Sequence, residues 1–245
     1  MMNTNLFIII QARMTSTRLP KKVLLPLCGK TVLEIVIERL HTYRDNIIIA
    51  TTDDGSEKLI VALCQELNIK YYQGSTQNVL ERYYRSAKKY NAQESDIIVR
   101  ITSDCPLIDS NIMQKTVQMY INGEYDYVSN RLNRTVPVGL DVEVFNFKLL
   151  QIAYENAQLS YEREHVTPYI YLTKKDYYKL GSYEEKEDNS KYRLTLDEAD
   201  DYLAIQEIYK LFDCKTDFDY AELIKILKQN IYIYELNCHV EQKKV

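Results

Sequence analysis

Three runs of apolar, mostly β-branched residues punctuate the first half of the chain: Phe7 to Ala12 (FIIIQA), Ile47 to Thr52 (IIIATT) and Ile97 to Thr102 (IIVRIT). Unbroken apolar runs of this length are expected for strands covered on both faces, as in a parallel sheet flanked by helices. Between them apolar residues recur at helical spacing. Thr31-Val-Leu-Glu34 reads as a capping box, after which Leu33, Ile37 and Leu40 share one face. Ser56 to Leu67 predicts a second helix, and Asn78 to Asn91 a third, with Glu81 spaced to pair with Arg85. Asp109 or Ser110 can cap a fourth helix reaching Ile121. Alternating strands and helices predict an α/β fold with a doubly wound, mostly parallel sheet.

The second half is less regular. Tyr125 to Ser129 and Leu140 to Phe145 read as strands, Phe147 to Leu159 and Glu162 to Leu172 as helices. Tyr192 to Asp197 (YRLTLD) alternates like a strand, and Asp200 to Phe212 and Phe218 to Gln229 read as helices. Asn130 to Gly139 and the charged stretch Glu184 to Lys191 read as loops. No Pro/Gly/Ser-rich linker divides the chain. The expectation is one domain over residues 1–240, with a less regular region at about 125–197 and a frayed tail at 241–245.

Composition narrows the function classes. A formal net charge of −4 argues against a general nucleic-acid-binding surface. No apolar run approaches the roughly 18 residues of a membrane span, and Met1 to Gln11 does not read as a signal peptide, having no basic start and no small-residue cleavage site. The five cysteines, Cys28, Cys64, Cys105, Cys214 and Cys238, are scattered and form no C-x-x-C pair. The expectation is therefore no disulfide framework, no zinc site, and a reducing, cytoplasmic setting.

Chemistry concentrates in three places. Gln11 to Lys22 (QARMTSTRLPKK) follows the first strand and carries Arg13, Arg18, Lys21 and Lys22 among small hydroxyl residues. In open α/β sheets ligands bind beyond the carboxyl ends of the strands, so such a loop suits a polyphosphate. A solvated surface loop has the same composition. The loop is neither a Walker A nor a G-x-G-x-x-G sequence. Asp104 lies just past the expected strand Ile97 to Thr102, and Asp197 ends the expected strand Tyr192 to Asp197. They are placed either to hold a hard cation on phosphate oxygens or simply to cap the turn before Pro106 and the helix after Asp197. Asp141 and Glu143 alternate along a strand and share one face, which either lines a cleft or meets solvent. Arg131 and Arg134 precede them, and Arg163 and His165 lie together further on.

The order of these motifs resembles the cytidylyltransferase family, which makes CMP-activated acidic sugars, and most nearly its spore-coat polysaccharide branch. The resemblance runs from I-I-Q-A-R-M-x-S-T-R-L-P-x-K-V-L, through Arg100-Ile-Thr-Ser-Asp-Cys-Pro-Leu-Ile-Asp109 and Glu162-Arg-Glu-His-Val-Thr-Pro168, to Arg193-Leu-Thr-Leu-Asp197. It implies a nucleotide-diphospho-sugar transferase-like, Rossmann-like fold. It also implies a nucleotide site of Gln11, Ala12, Arg13, Arg18 and Lys22, with Ala12 and Arg13 offering backbone to the base or ribose of CTP. Asp104 and Asp197 become ligands of Mg²⁺, and with Lys22 and Arg18 the catalytic set. Arg134, Asp141, Glu143, Arg163 and His165 are the candidates for binding a sugar-type acceptor. A homodimer is compatible with the family. The chain departs from the family pattern at Lys21, which stands in place of Gly, adding a cation and removing a flexible backbone position. A glycosyltransferase of related fold and a non-catalytic nucleotide-binding subunit are the alternatives, although the D-x-D metal signature of the former is absent.

Overall fold

The computed structural model describes residues 4–242. Strand β1 (Leu6–Gln11) is followed by a long loop and a small hairpin, β2 (Pro26–Leu27) with β3 (Lys30–Thr31). Helix α1 (Val32–Arg39) begins at Thr31 with both halves of the expected capping box formed. Then come β4 (Ile47–Thr52), α2 (Lys58–Glu66), β5 (Lys70–Gly74), α3 (Val79–Lys89), β6 (Ile97–Thr102) and α4 (Ser110–Asn122). Asn78 and Asp109 cap α3 and α4 by accepting from Glu81 N (3.1 Å) and Ile112 N (2.8 Å), and Arg85 donates to Glu81 at 2.6 Å as the spacing requires.

The rest of the chain supplies β7 (Tyr127–Ser129), β8 (Glu143–Asn146), α5 (Phe147–Asn156), α6 (Ser160–His165), β9 (Leu180–Ser182), α7 (Ala199–Leu211), α8 (Tyr220–Gln229) and α9 (Ile231–Asn237). Seven strands form one sheet in the order β5-β4-β1-β6-β8-β7-β9, parallel except where β8 runs against β6 and β7. Alternate side chains of β1 feed two cores. Ile8 and Ile10 pack beneath α1, α2 and α4, while Phe7 and Ile9 pack beneath α3 and α5. A third core joins the hairpin and α1 to α7, α8 and α9 through Leu27, Ile35, Leu194, Leu196, Ile205 and Leu223.

Four expectations are corrected. The stretch Glu162 to Leu172 is not one helix: Val166 sits at φ 74, ψ −56, and a π-turn at Tyr169–Thr173 follows. Pro168, which disfavours a helical residue before it, helps to break the run. Tyr192 to Asp197 is extended but is no strand of the sheet; it makes an isolated parallel bridge, Arg193 with Val138, to the loop that precedes β8. Gly139 permits that approach: at φ 104, a Cβ there would lie 2.4 Å from the carbonyl carbon of Leu194. Thirdly, Cys28 and Cys214, 186 residues apart, form a disulfide that ties the hairpin turn to the end of α7, so cysteine usage no longer argues for a reducing setting. Lastly, β5, β9 and α9 were not foreseen. Of the expected tail, residues 243–245 lie outside the described residues, and Gln242 is held by Arg193. Among the described residues no helix is long and apolar enough to cross a membrane.

Candidate active site

The strand order turns at β1, with β4 and β5 on one side and β6 on the other. Such a switch point opens a crevice at the carboxyl ends of the strands. Here it is a cleft of about 1230 Å³, floored by the ends of β1 and β6 at the paired residues Gln11 and Thr102. The basic loop forms one wall. Lys21 N donates to Met14 O (3.0 Å) and closes the loop on itself. Lys21 adopts φ 58, ψ 19, a left-handed conformation that glycine would accept without a Cβ penalty and that lysine holds at a cost of about 1 kcal/mol. The turn aims Lys22 inward. Its ammonium donates to Asp104 Oδ2 at 2.6 Å and to Asp197 Oδ1 at 2.8 Å.

The two carboxylates reach this point from separate parts of the sequence. Asp104 follows β6 directly, and the extended segment before α7 carries Asp197 alongside it, pinned where Leu196 N donates to Asp104 O at 2.7 Å. Arg18 completes the cluster, meeting Asp197 Oδ2 at 2.9 Å and Glu198 Oε1 at 3.3 Å. Burial pushes the Asp104 carboxyl up, but the charge and hydrogen bond of Lys22 outweigh it and hold the group at about 2. Burial lowers Lys22 in turn, yet the two carboxylates raise it above its ordinary value. At neutral pH Lys22 and Asp104 therefore face each other as a charged pair.

The donor set fits a hard divalent cation. Two carboxylate oxygens already converge on one compact positive charge, the ammonium of Lys22. No group of three or more potential ligands occurs among the described residues. Phosphate and water oxygens would therefore have to complete the shell, the usual arrangement for magnesium on nucleotides.

The remaining nucleotide candidates divide. Arg13 is exposed at the cleft. Gln11 lines it and accepts from Arg100 (3.2 Å). Ala12 is 2% exposed and its N–H is committed to Ala50 O (3.1 Å), so only its carbonyl is left for a base or ribose. Across the cleft stand the acceptor candidates Arg134, Asp141, Arg163 and His165, together with Arg131. Arg134 grips Asp141 in a fork (2.6 and 3.1 Å). The π-turn and α6 are separated by a γ-turn, in which Thr167 N donates to His165 O at 2.9 Å around Val166. That backbone, strained by about 1–3 kcal/mol for a β-branched residue, sets the direction of His165. Burial lowers the His165 pKa, and Arg100 and Arg131 push it the same way against Glu164 and Glu143. The imidazole is therefore neutral at pH 7.

Glu143 corrects the acceptor expectation. It shares a face with Asp141 but is 1% exposed and does not line the cleft. Its Oε1 takes Arg100 and, at 2.8 Å, Arg131; its Oε2 takes Tyr127 (2.6 Å) and Thr167. It has no capacity left for a ligand and instead anchors the two arginines. Burial pushes this carboxyl up, and the arginines and hydroxyls bring it down to about 2. Two further cleft residues, Arg82 and Arg100, are not among the site candidates read from the sequence; each is buried and each has an Nε lacking a partner. Arg100 had a signal, being the one charge in the apolar run IIVRIT.

These depressed pKa values set an acid limit. Asp104 and Glu143 ionise at lower pH in the fold than in the unfolded chain, from 3.8 and 4.5 down to about 2. Their contribution is complete above the unfolded values and is lost as pH falls through the folded ones. Melting temperature is expected to fall between about pH 4.5 and 2, and Glu143→Gln to flatten that slope. An unchanged slope in the variant would contradict the buried pairing.

A basic loop and paired carboxylates at the switch point of a mostly parallel sheet define a Rossmann-like protein of the nucleotidyltransferase type. The chain belongs to the cytidylyltransferase family, whose model matches residues 7–244. It is 34% identical to the spore coat polysaccharide biosynthesis protein SpsF of Bacillus subtilis, over 94% of this chain and 96% of that protein. The structure of a cytidylyltransferase from Leptospira borgpetersenii superposes with a TM-score of 0.89 at 33% identity, covering 99% of this chain and all of the other. A CMP:2-keto-3-deoxy-manno-octonic acid synthetase solved with CTP shares the fold, with a TM-score of 0.60 at 16% identity over 86% of this chain and 99% of that one.

Proposed function

We propose that the protein transfers CMP from CTP to an oxygen of a sugar-type acceptor and releases pyrophosphate, activating the acceptor for surface polysaccharide or glycan synthesis. The observation that carries the reading is Lys22 held between Asp104 and Asp197, at the end of a cleft whose other wall presents Arg131, Arg134 and Arg163. One end has the groups a triphosphate needs, and the other has groups for an anionic acceptor, a carboxylate or phosphate. The family supports nucleotidyl transfer, the spore-coat relative supports a polysaccharide product, and the synthetase solved with CTP supports that nucleotide.

The acceptor oxygen attacks the α-phosphorus in line with the α–β bridging oxygen. The new P–O bond forms as that bridge breaks, the electron pair leaves with pyrophosphate, and the proton of an attacking hydroxyl passes to water. Arg13, Arg18 and Lys22 neutralise the β- and γ-phosphates and so stabilise the leaving group. Mg²⁺, held by Asp104 and Asp197, would supply charge neutralisation at the α-phosphate. Arg131, Arg134 and Arg163 orient the acceptor, and neutral His165 beside them offers it a hydrogen-bonding partner without adding positive charge. No covalent intermediate on the protein is required.

The phosphate assignment has a direct test. Arg18→Ala and Lys22→Ala should each weaken CTP binding about 10- to 100-fold, the worth of one charge-assisted contact. Arg18→Ala should melt like the wild type, since its side chain is partly exposed. Calorimetric CTP affinity unchanged in both variants would return the loop to the solvent.

A further inference from the structure

Asp197 is drawn by three cations, and they are not equivalent. Lys22 and Arg18 belong to the loop that, in the proposed reaction, neutralises the β- and γ-phosphates. The third is Arg193, which meets Asp197 Oδ2 at 3.1 Å. Arg193 is 7% exposed and each of its three side-chain nitrogens has a partner. Its Nε and Nη2 fork the two oxygens of Asp201 at 2.8 and 3.1 Å, and its Nη1 donates to Gln242. It cannot follow a nucleotide without abandoning a buried carboxylate.

Asp201 is fixed from three further directions. Its Oδ2 accepts the backbone N–H groups of Asp197 and Glu198, both at 3.0 Å. Its Oδ1 accepts from Asn237 Nδ2 of α9 at 2.9 Å, and the same amide donates to Arg193 O at 2.9 Å. Asp201 and Asn237 are 0% and 2% exposed. One buried carboxylate therefore fixes the main chain of Asp197 and, through Arg193, its side chain.

We propose that Arg193 is a positioning residue which, with Asp201 and Asn237 behind it, keeps Asp197 Oδ1 turned toward Asp104 when Lys22 and Arg18 leave for the nucleotide. The inference rests on the proposed reaction. It explains why a third positive charge stands beside a carboxylate meant for a cation. Arg193 and Asp201 cancel in charge, so the pair holds geometry at little electrostatic cost to the ion. Lys22 and Arg18 neutralise Asp197 in the free protein and are released by the ligand that replaces them. Loss of a group that orients a metal ligand typically weakens the metal 10- to 100-fold.

The test replaces the pair at constant net charge, Arg193→Met with Asp201→Asn, and separately makes Arg193→Lys, which keeps the charge but cannot span both carboxylates. Manganese binding is followed by electron paramagnetic resonance with an unreactive α,β-methylene analogue of CTP present, beside a thermal melt. In every variant that melts cooperatively, manganese affinity should fall about 10- to 100-fold, while affinity for the analogue at saturating manganese returns to within a few fold of wild type. A purely structural role would not give that rescue. Unchanged manganese affinity in a folded variant overturns the assignment, as does analogue binding that manganese fails to restore. Should the double variant not fold, Arg193→Lys decides alone. Wild-type protein that binds neither manganese nor the analogue would remove the proposed reaction itself, and this inference with it.

Discussion

Asp104→Asn is expected to reduce turnover by about three orders of magnitude while leaving the fold standing, in line with the loss of one group that stabilises transition-state charge. Asparagine keeps the size of the side chain and one acceptor oxygen, so a residue that only shaped the turn before Pro106 would tolerate the change. What it removes is the charge that meets Lys22 at 2.6 Å. Residual activity should need more magnesium. Asp197→Asn should behave alike, and the double variant should lose little beyond either single one, because in the proposed reaction both carboxylates serve one ion. Losses that simply multiply would mean two independent roles. Near-normal activity of Asp104→Asn at low magnesium would remove the metal assignment.

Glu143→Gln carries the largest expected effect on stability. The carboxylate is buried between Arg100 and Arg131 and also accepts from Tyr127 and Thr167. Removing one partner of a buried ionic cluster leaves uncompensated charge and costs about 3–5 kcal/mol. For a chain of this size that is a fall in melting temperature of roughly 6–20 °C. Arg131 would also lose the anchor that holds it at the cleft, so acceptor KM should rise. CTP affinity, assigned in the proposed reaction to the opposite wall, should hold. A residue that bound the acceptor directly would instead lose activity at unchanged stability, and that pattern would overturn the anchoring role.

The elements that could be read from the sequence are those whose period is set by burial. β1, β4 and β6 are covered on both faces, so their residues are apolar without alternation. Helices α1, α3 and α4 carry caps that hydrogen bonding requires at their ends. β5 escaped because Lys-Tyr-Tyr-Gln-Gly is an edge strand, partly exposed and without an apolar run. α9 escaped because Ile-Tyr-Ile-Tyr alternates as a strand does, and packing against α7 and α8 decides otherwise. The basic loop and the two aspartates could be read as residue types in a sequence order. Their meeting at one ammonium could not, since it depends on a contact across 175 residues. Glu143 was misread for the same reason: alternation placed it on the right face, and only the fold put two arginines over it.

The central claim is that this cleft joins the α-phosphate of CTP to an acceptor. The most direct measurement supplies CTP labelled at the α-phosphate, with magnesium and a panel of sugar acids and sugar phosphates, and follows both label and pyrophosphate. The expected result is label entering an acceptor adduct with one equivalent of pyrophosphate, for CTP in preference to the other three nucleoside triphosphates and abolished in Asp104→Asn. CTP that binds but never releases pyrophosphate with any acceptor, or a nucleotide sugar consumed in its place, would contradict it.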